Sequence, residues 1–246
     1  MQRDGGDQRG KLHRVLLRLG WTACALLSLF FFTAAACGLI ADLYAGLAEQ
    51  RRTHAISDHV AVSAAKLATR IAPWKAKGWV EYAGGAAQSG DTDLALSAIS
   101  EAIYWMPSDA EKWGVMAHIL ITNHRFNQAL KVATLNVTIL APNSPRWQKQ
   151  IAFDGIYWWP EGDDELRRMW LMGIRHSLAY DRDGFLIAVL ETRREKYFCR
   201  YTAKALRLSK WCEWAAWSRR TCDADKLTQE QGKYCNALGF GKAKNP

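Results

Sequence analysis

The sequence predicts an all-α protein: one N-terminal transmembrane helix, a stack of helical repeats, and a disulfide-stapled helical cap at the C-terminus. Three observations carry this expectation. Trp79, Trp113 and Trp147 recur every 34 residues, and Pro73 with Pro107, and Ala61, Ala95 and Ala129, keep the same step. Residues 19–41 are 23 consecutive positions without a charge. Cys199, Cys212, Cys222 and Cys235 all fall in the last 50 residues of the 246-residue chain.

The chain opens with a polar, basic stretch, residues 1–14, expected to be a short mobile tail. The membrane segment follows at 15–47. A helix of 23 residues is about 35 Å long, enough to cross a hydrocarbon core of roughly 30 Å. Arg3, Arg9, Lys11, Arg14 and Arg18 precede it against Asp4 and Asp7. Basic flanks stay on the cytoplasmic side, so the N-terminus is expected inside and the bulk of the chain outside. The competing reading is a cleaved or lipidated leader ending at Ala34-Ala35-Ala36-Cys37. The uncharged run exceeds the ~7–15 residues of a signal peptide's apolar region, and Ala34 stands where lipoproteins carry Leu, so an uncleaved anchor is expected. Leu43 and Leu47 then continue the apolar pattern up to Arg51-Arg52, as one long helix leaving the membrane would.

Residues 48–190 carry the repeat. Val60, Ala61, Ala64, Ala65, Leu67, Ala68 and Ile71 keep helical spacing and stop at Pro73. In the next unit Trp79, Tyr82, Gly90-Asp91, Ala95, Ile99, Ala102 and Pro107 stand at the places of a helix-turn-helix signature. Gly90 suits a left-handed turn, and Asp91 suits the cap of the second helix. Trp113, Met116, Ala117, Leu120 and Ala129 continue the pattern, with His124-Arg125 replacing the turn pair and Pro142 closing one residue late. Trp147 opens a further, irregular unit interrupted by Trp158, Trp159, Pro160 and Gly162. This pattern resembles the tetratricopeptide repeat, of the membrane-anchored periplasmic type, over about residues 58–160. The resemblance implies stacked helix pairs that hold protein partners. It places the opening tryptophans in the core and a partner groove on the first helix of each pair. Carried over by position, the groove is Lys77, Val80, Gly84 and Gln88, then Glu111, Gly114, His118 and Thr122. The small residues there would leave a shallow groove for a helix or an extended peptide.

Residues 191–246 depart from the repeat. They hold 13 Lys/Arg and 6 Asp/Glu, a net +7 of the whole chain's +9. Four clustered cysteines with no C-x-x-C pair point away from zinc and towards two disulfides in an oxidising compartment. A hairpin turning near Trp217 to Asp223 would nest Cys199–Cys235 outside Cys212–Cys222, since both pairs are symmetric about Trp217. Two cysteines 13 residues apart on one straight helix sit about 140° apart, so nesting also demands a bend, and all three pairings stay open. Trp158, Trp159, Trp211, Trp214 and Trp217 are candidate contacts for glycan rings or an anionic surface.

No catalytic motif appears: no H-E-x-x-H, G-x-S-x-G or phosphate-binding glycine loop occurs. Glu191 and Glu195 alternate with Arg193, Arg194 and Lys196, the pattern of a solvated, salt-bridged helix face. No enzyme activity, cofactor or metal is expected. The sequence reading is therefore a bacterial inner-membrane scaffold or adaptor, single-pass, with its bulk in the periplasm. It would hold protein partners in a secretion, maturation or polysaccharide synthesis and export assembly. The membrane, anionic lipid and polysaccharide are the other partners considered, and nucleic acid is excluded by the expected location. The alternative is a glycan-binding accessory subunit of envelope polysaccharide biosynthesis, with a glycan-cleaving enzyme behind it.

Overall fold

A computed structural model describes the backbone of residues 5–54, 59–204, 206–222, 233 and 235, and the side chains of these from residue 19 onward, except 52–54. All regular structure among the described residues is helical. The eleven helices are α1 (Gly5–His54), α2 (His59–Ile71), α3 (Ala76–Gln88), α4 (Thr92–Trp105), α5 (Ala110–Thr122), α6 (Gln128–Leu140), α7 (Pro145–Trp158), α8 (Asp164–Tyr180), α9 (Arg182–Glu191), α10 (Glu195–Thr202) and α11 (Ser209–Cys222). They form two compact units that meet in sequence at Pro107 and Ser108.

The first unit contains α1 to α4. α1 is long and apolar enough over Leu19–Arg51 to cross a membrane, and almost none of its most apolar 18 residues are buried. It starts at Gly5, inside the stretch 1–14 expected from composition to be a short tail. Its far end changes character. Ala41, Ala45 and Ala48 repeat at helical spacing and are buried, the first two against Ala68 of α2 and Ala72 just beyond its end. With methyl groups at the centre of the contact and Tyr44 and Ile71 flanking it, the two backbones approach closely, which larger side chains at the alanine positions would prevent. Lys75 Nζ lies 2.7 Å from Asp42 Oδ2, and Lys77 Nζ 3.0 Å from Glu49 Oε2, tying the start of α3 to the same face of α1. The membrane-length helix therefore doubles as the first helix of the stack.

α3 and α4 pair through Ala83, Ala86, Ala95, Ala98 and Ala102, all buried. Gly78 and Gly85 bring α3 equally close to α2: a Cβ at Gly78 would stand 3.3 Å from Ala68 Cβ, and one at Gly85 2.8 Å from Val62 Cγ2. The turn between α3 and α4 forms as the sequence suggests. Gly90 adopts φ +83°, and the Asp91 carboxylate accepts from Leu94 N at 3.1 Å.

The second unit contains α5 to α11. The pairs α5–α6 and α7–α8 repeat the hairpin, and α5 also touches α7, first helix to first helix. The helices α3, α5 and α7 begin at residues 76, 110 and 145, close to the 34-residue period of the tryptophans. His124 takes the place of Gly90 with φ +56°, and Asn127 replaces Asp91 as the cap, accepting from Leu130 N at 3.2 Å. Asp163 caps α8 through Leu166 N, while Lys131 of α6 reaches its other oxygen at 2.5 Å. Hydrogen bonding to Lys131 holds the Asp163 carboxyl below the usual carboxylate range. The last four helices close over a core of Ile174, Phe185, Leu186, Val189, Phe198 and Leu208, with Trp159 and Trp211 packed against it.

Two expectations for the C-terminal region are corrected. The disulfides are consecutive, Cys199–Cys212 and Cys222–Cys235, with Cα–Cα separations of 5.6 and 5.5 Å. The nested pairing fails because residues 209–222 form one continuous helix, leaving no hairpin around Trp217. The chain turns earlier, between α10 and α11, where Arg207 takes φ +54°. That reversal sets Cys199 and Cys212 on facing helices. Glu191 and Glu195 likewise share no helix face: α9 ends at Glu191, Arg193 is left-handed at +56°, and Glu195 opens α10. Glu195 is 7% exposed and holds Arg219 of α11.

Candidate functional site

The expected groove residues separate into exposed and buried positions. On α3, Lys77 and Gln88 are exposed and Val80 and Gly84 half-buried, but the Lys77 ammonium is engaged by Glu49. On α5, Glu111, His118 and Thr122 are exposed. The Thr122 hydroxyl donates to His118 O at 2.7 Å, and desolvation holds the His118 imidazole below the usual histidine range. Gly114 is buried, and a Cβ there would run into the Trp147 ring. It is a seat for that tryptophan and offers no groove wall. The opening tryptophans Trp79, Trp113 and Trp147, expected in the core, are half-buried; Trp147 lies against Gly114, and Trp79 donates to Pro73 O at 2.7 Å.

The candidate ring-stacking tryptophans also divide. Trp158 is half-buried and meets the His124 ring edge-on at 4.6 Å, and Trp159 stacks on Tyr201 at 5.4 Å. Trp211 packs on Phe198 at 5.7 Å. Trp214 and Trp217 of α11 are the open ones, 37% and 52% exposed.

Sequence reasoning missed a cavity of about 470 Å³ in the second unit, between the start of α7, the end of α8 and the start of α9. Its residues lie at 142–149 and 176–185, on helix ends far apart in sequence, and belong to no motif. Among the described residues no group of three His, Cys, Asp or Glu side chains is placed to hold a metal ion. Burial pushes the Asp154 carboxyl of α7 up to about 6, and Gln150 Nε2 donates to it at 2.9 Å.

No protein-family model matches the chain, and a search of the curated proteins finds no match either.

Proposed function

We propose that the chain is a membrane-anchored scaffold of the tetratricopeptide-like kind, which holds protein partners in a cell-envelope assembly and carries out no chemistry itself. The observation that carries this reading is the continuity of α1. A helix long and apolar enough to span a bilayer runs without a break into a packed helical stack. The positive N-terminal flank supports a cytoplasmic N-terminus, and the two disulfides support an oxidising compartment for the rest, as in the periplasm facing a bacterial inner membrane. The exposed faces of α3 (Val80, Gly84, Gln88) and α5 (Glu111, His118, Thr122) are the partner surfaces of this reading.

The test combines topology with partner loss. Membrane-impermeant thiol labelling of single cysteines introduced at residues 8 and 97, in a chain lacking Cys24 and Cys37, places each end. The N-terminal site should react only after the membrane is broken. Purification through an N-terminal tag from gently solubilised membranes should then recover partner subunits in fixed ratio. Val80→Asp with Gly84→Arg should release them while circular dichroism stays unchanged. Inverted labelling, or retention of the partners by that variant, would overturn the reading.

A second reading rests on Trp214 and Trp217, two open indoles in a basic region. A flat apolar ring stacks on the C–H face of a pyranose, so α11 would serve a glycan-binding accessory subunit. Loss of polysaccharide binding in Trp214→Ala/Trp217→Ala, with protein partners retained, distinguishes it from the scaffold.

A further inference from the structure

The folded part of the first unit meets α1 inside its apolar run. Gly38 belongs to the uncharged stretch 19–41 and is buried, and a Cβ there would stand 3.2 Å from Lys75 Cε. Ala41 packs with Ala68 and Ala72. A hydrocarbon core of roughly 30 Å takes about 20 helical residues, so one centred on that stretch ends near Ile40. The turn between α2 and α3 therefore lies level with the edge of the hydrocarbon, and no linker separates the stack from the lipid. Lys75 is placed as this level requires. Its stem runs along Gly38, and its ammonium reaches away from the core to Asp42 at 2.7 Å.

The side chains at this end are apolar and open. Trp74 is 43% exposed, while Trp79 Nε1 donates to Pro73 O at 2.7 Å and fixes the turn behind it. α4 returns along α3 after the turn at 89–91, so its last residues come back to the same end: α3 begins at Ala76 and α4 stops at Trp105. There Tyr104, Trp105 and Met106 are 74%, 43% and 44% exposed, and the Tyr104 and Trp105 rings meet edge to face at 5.3 Å. The opposite end of this hairpin is polar, with Ser89, Gly90, Asp91 and Asp93 all exposed. Single exposed apolar residues are ordinary on a protein surface. A group confined to one end, level with a membrane boundary and mostly aromatic, is not. Tryptophan and tyrosine concentrate at that boundary because the ring sits against the acyl chains while its N–H or O–H reaches the wet head groups. Arg70, exposed in the last turn of α2, stands one turn further from the core.

We infer that this end of the first unit is a lipid-binding surface, seated in the head-group layer of the bilayer that α1 crosses. Trp74, Tyr104, Trp105 and Met106 enter the boundary between head groups and acyl chains, and Arg70 meets the phosphates above them. The inference rests on the proposed anchoring by α1 and adds to it a lateral contact, so that the stack leans on the leaflet beside its own anchor.

The test uses the full chain in phosphatidylcholine vesicles, lacking Cys24 and Cys37 and with its disulfides intact. An environment-sensitive fluorophore is placed on one introduced cysteine at a time, at residues 29, 74, 89 and 106. The quenchers are phosphatidylcholines spin-labelled either near the head or deep in the acyl chain. The label at 29 should be quenched by the deep lipid, which reports the span. Labels at 74 and 106 should shift their emission to the blue and lose roughly half of it to the shallow lipid, as expected of groups buried about 5–10 Å into the interface. The label at 89 should respond to neither. No quenching at 29 would overturn the anchor and this inference together. Quenching at 29 without quenching at both 74 and 106, or equal quenching at 89, would overturn the seating and leave the anchor standing. Labels at 74 and 106 that are shielded from aqueous iodide yet untouched by the spin-labelled lipids would show a protein covering this end, and would also overturn the proposal.

Discussion

Replacing Glu195 by Ala should destabilise the C-terminal region by about 3–5 kcal/mol, the usual effect of removing one partner from a buried ion pair. Arg219 of α11 donates from Nε to Glu195 Oε1 at 2.7 Å, from one terminal nitrogen to Oε2 at 3.2 Å, and from that same nitrogen to Leu190 O at 2.9 Å. One guanidinium thus joins the end of α9, the start of α10 and the last turn of α11. The side chains of Arg219 and Glu195 are 15% and 9% exposed, so water cannot replace the lost carboxylate. A surface pair would be worth only about 0–1 kcal/mol and would fade with salt. Urea unfolding followed by tryptophan fluorescence measures the loss, since Trp211 and Trp214 lie on the same helix. The experiment is run at low and at 1 M salt with the disulfides intact. A second variant, Glu195→Leu with Arg219→Met, removes both charges and should recover most of the stability, because it leaves no charge buried without a counter-ion. A loss below about 1 kcal/mol for Glu195→Ala, or one that disappears in high salt, would refute the reasoning.

Other outcomes follow from the same structure. Asp154 binds a proton more tightly in the folded chain, with its carboxyl pushed up to about 6, than in the unfolded chain at its ordinary value of 3.8. Its contribution is therefore greatest below pH 4 and is lost as pH rises through 6, so Asp154→Asn should stabilise the protein at pH 7 by about 2 kcal/mol and flatten the stability curve between pH 4 and 6. Arg193 is exposed and left-handed at φ +56°, so Arg193→Gly should raise stability by about 0.5–1 kcal/mol in thermal unfolding, through relief of Cβ strain. Gly114→Ala places a methyl against the rigid Trp147 ring and should cost about 1–3 kcal/mol, visible as a shift in the denaturant midpoint; unchanged stability would mean that the two helices part freely.

The features legible in the sequence are those fixed by short-range chemistry repeated along the chain. The period of Trp79, Trp113 and Trp147 located the first helix of three hairpins, and Gly90-Asp91 named both a left-handed turn and a cap. Ala41 to about Thr53 read as a helix continuing past the apolar span, and α1 runs to His54. What stayed hidden depends on where helices end and on what they meet. The symmetry of four cysteine positions suggested nesting, but pairing is decided by a reversal between α10 and α11 that contains neither Gly nor Pro. Glu195 sits among basic residues in sequence, yet its partner, Arg219, lies 24 positions away. Gly114 reads as open space by position and is filled by a ring from α7. The cavity escaped for the same reason: Gln148 and Ser177 come together only when α7 and α8 pair.

In the proposed scaffold, the unbroken α1 also sets how a partner would be met. A flexible tether of ten residues would let the head wander over a radius of about 17 Å, and each encounter would then have to order that tether. Here Ala41 to His54 rises about 20 Å as one rod, with its alanine face already fixed to α2. In the proposed orientation the first hairpin is held at a constant height above the lipid and turns only about the membrane normal. A partner resident in the same bilayer then searches in two dimensions with no linker to order, so its effective concentration at the α3 face depends on the surface density of the two proteins.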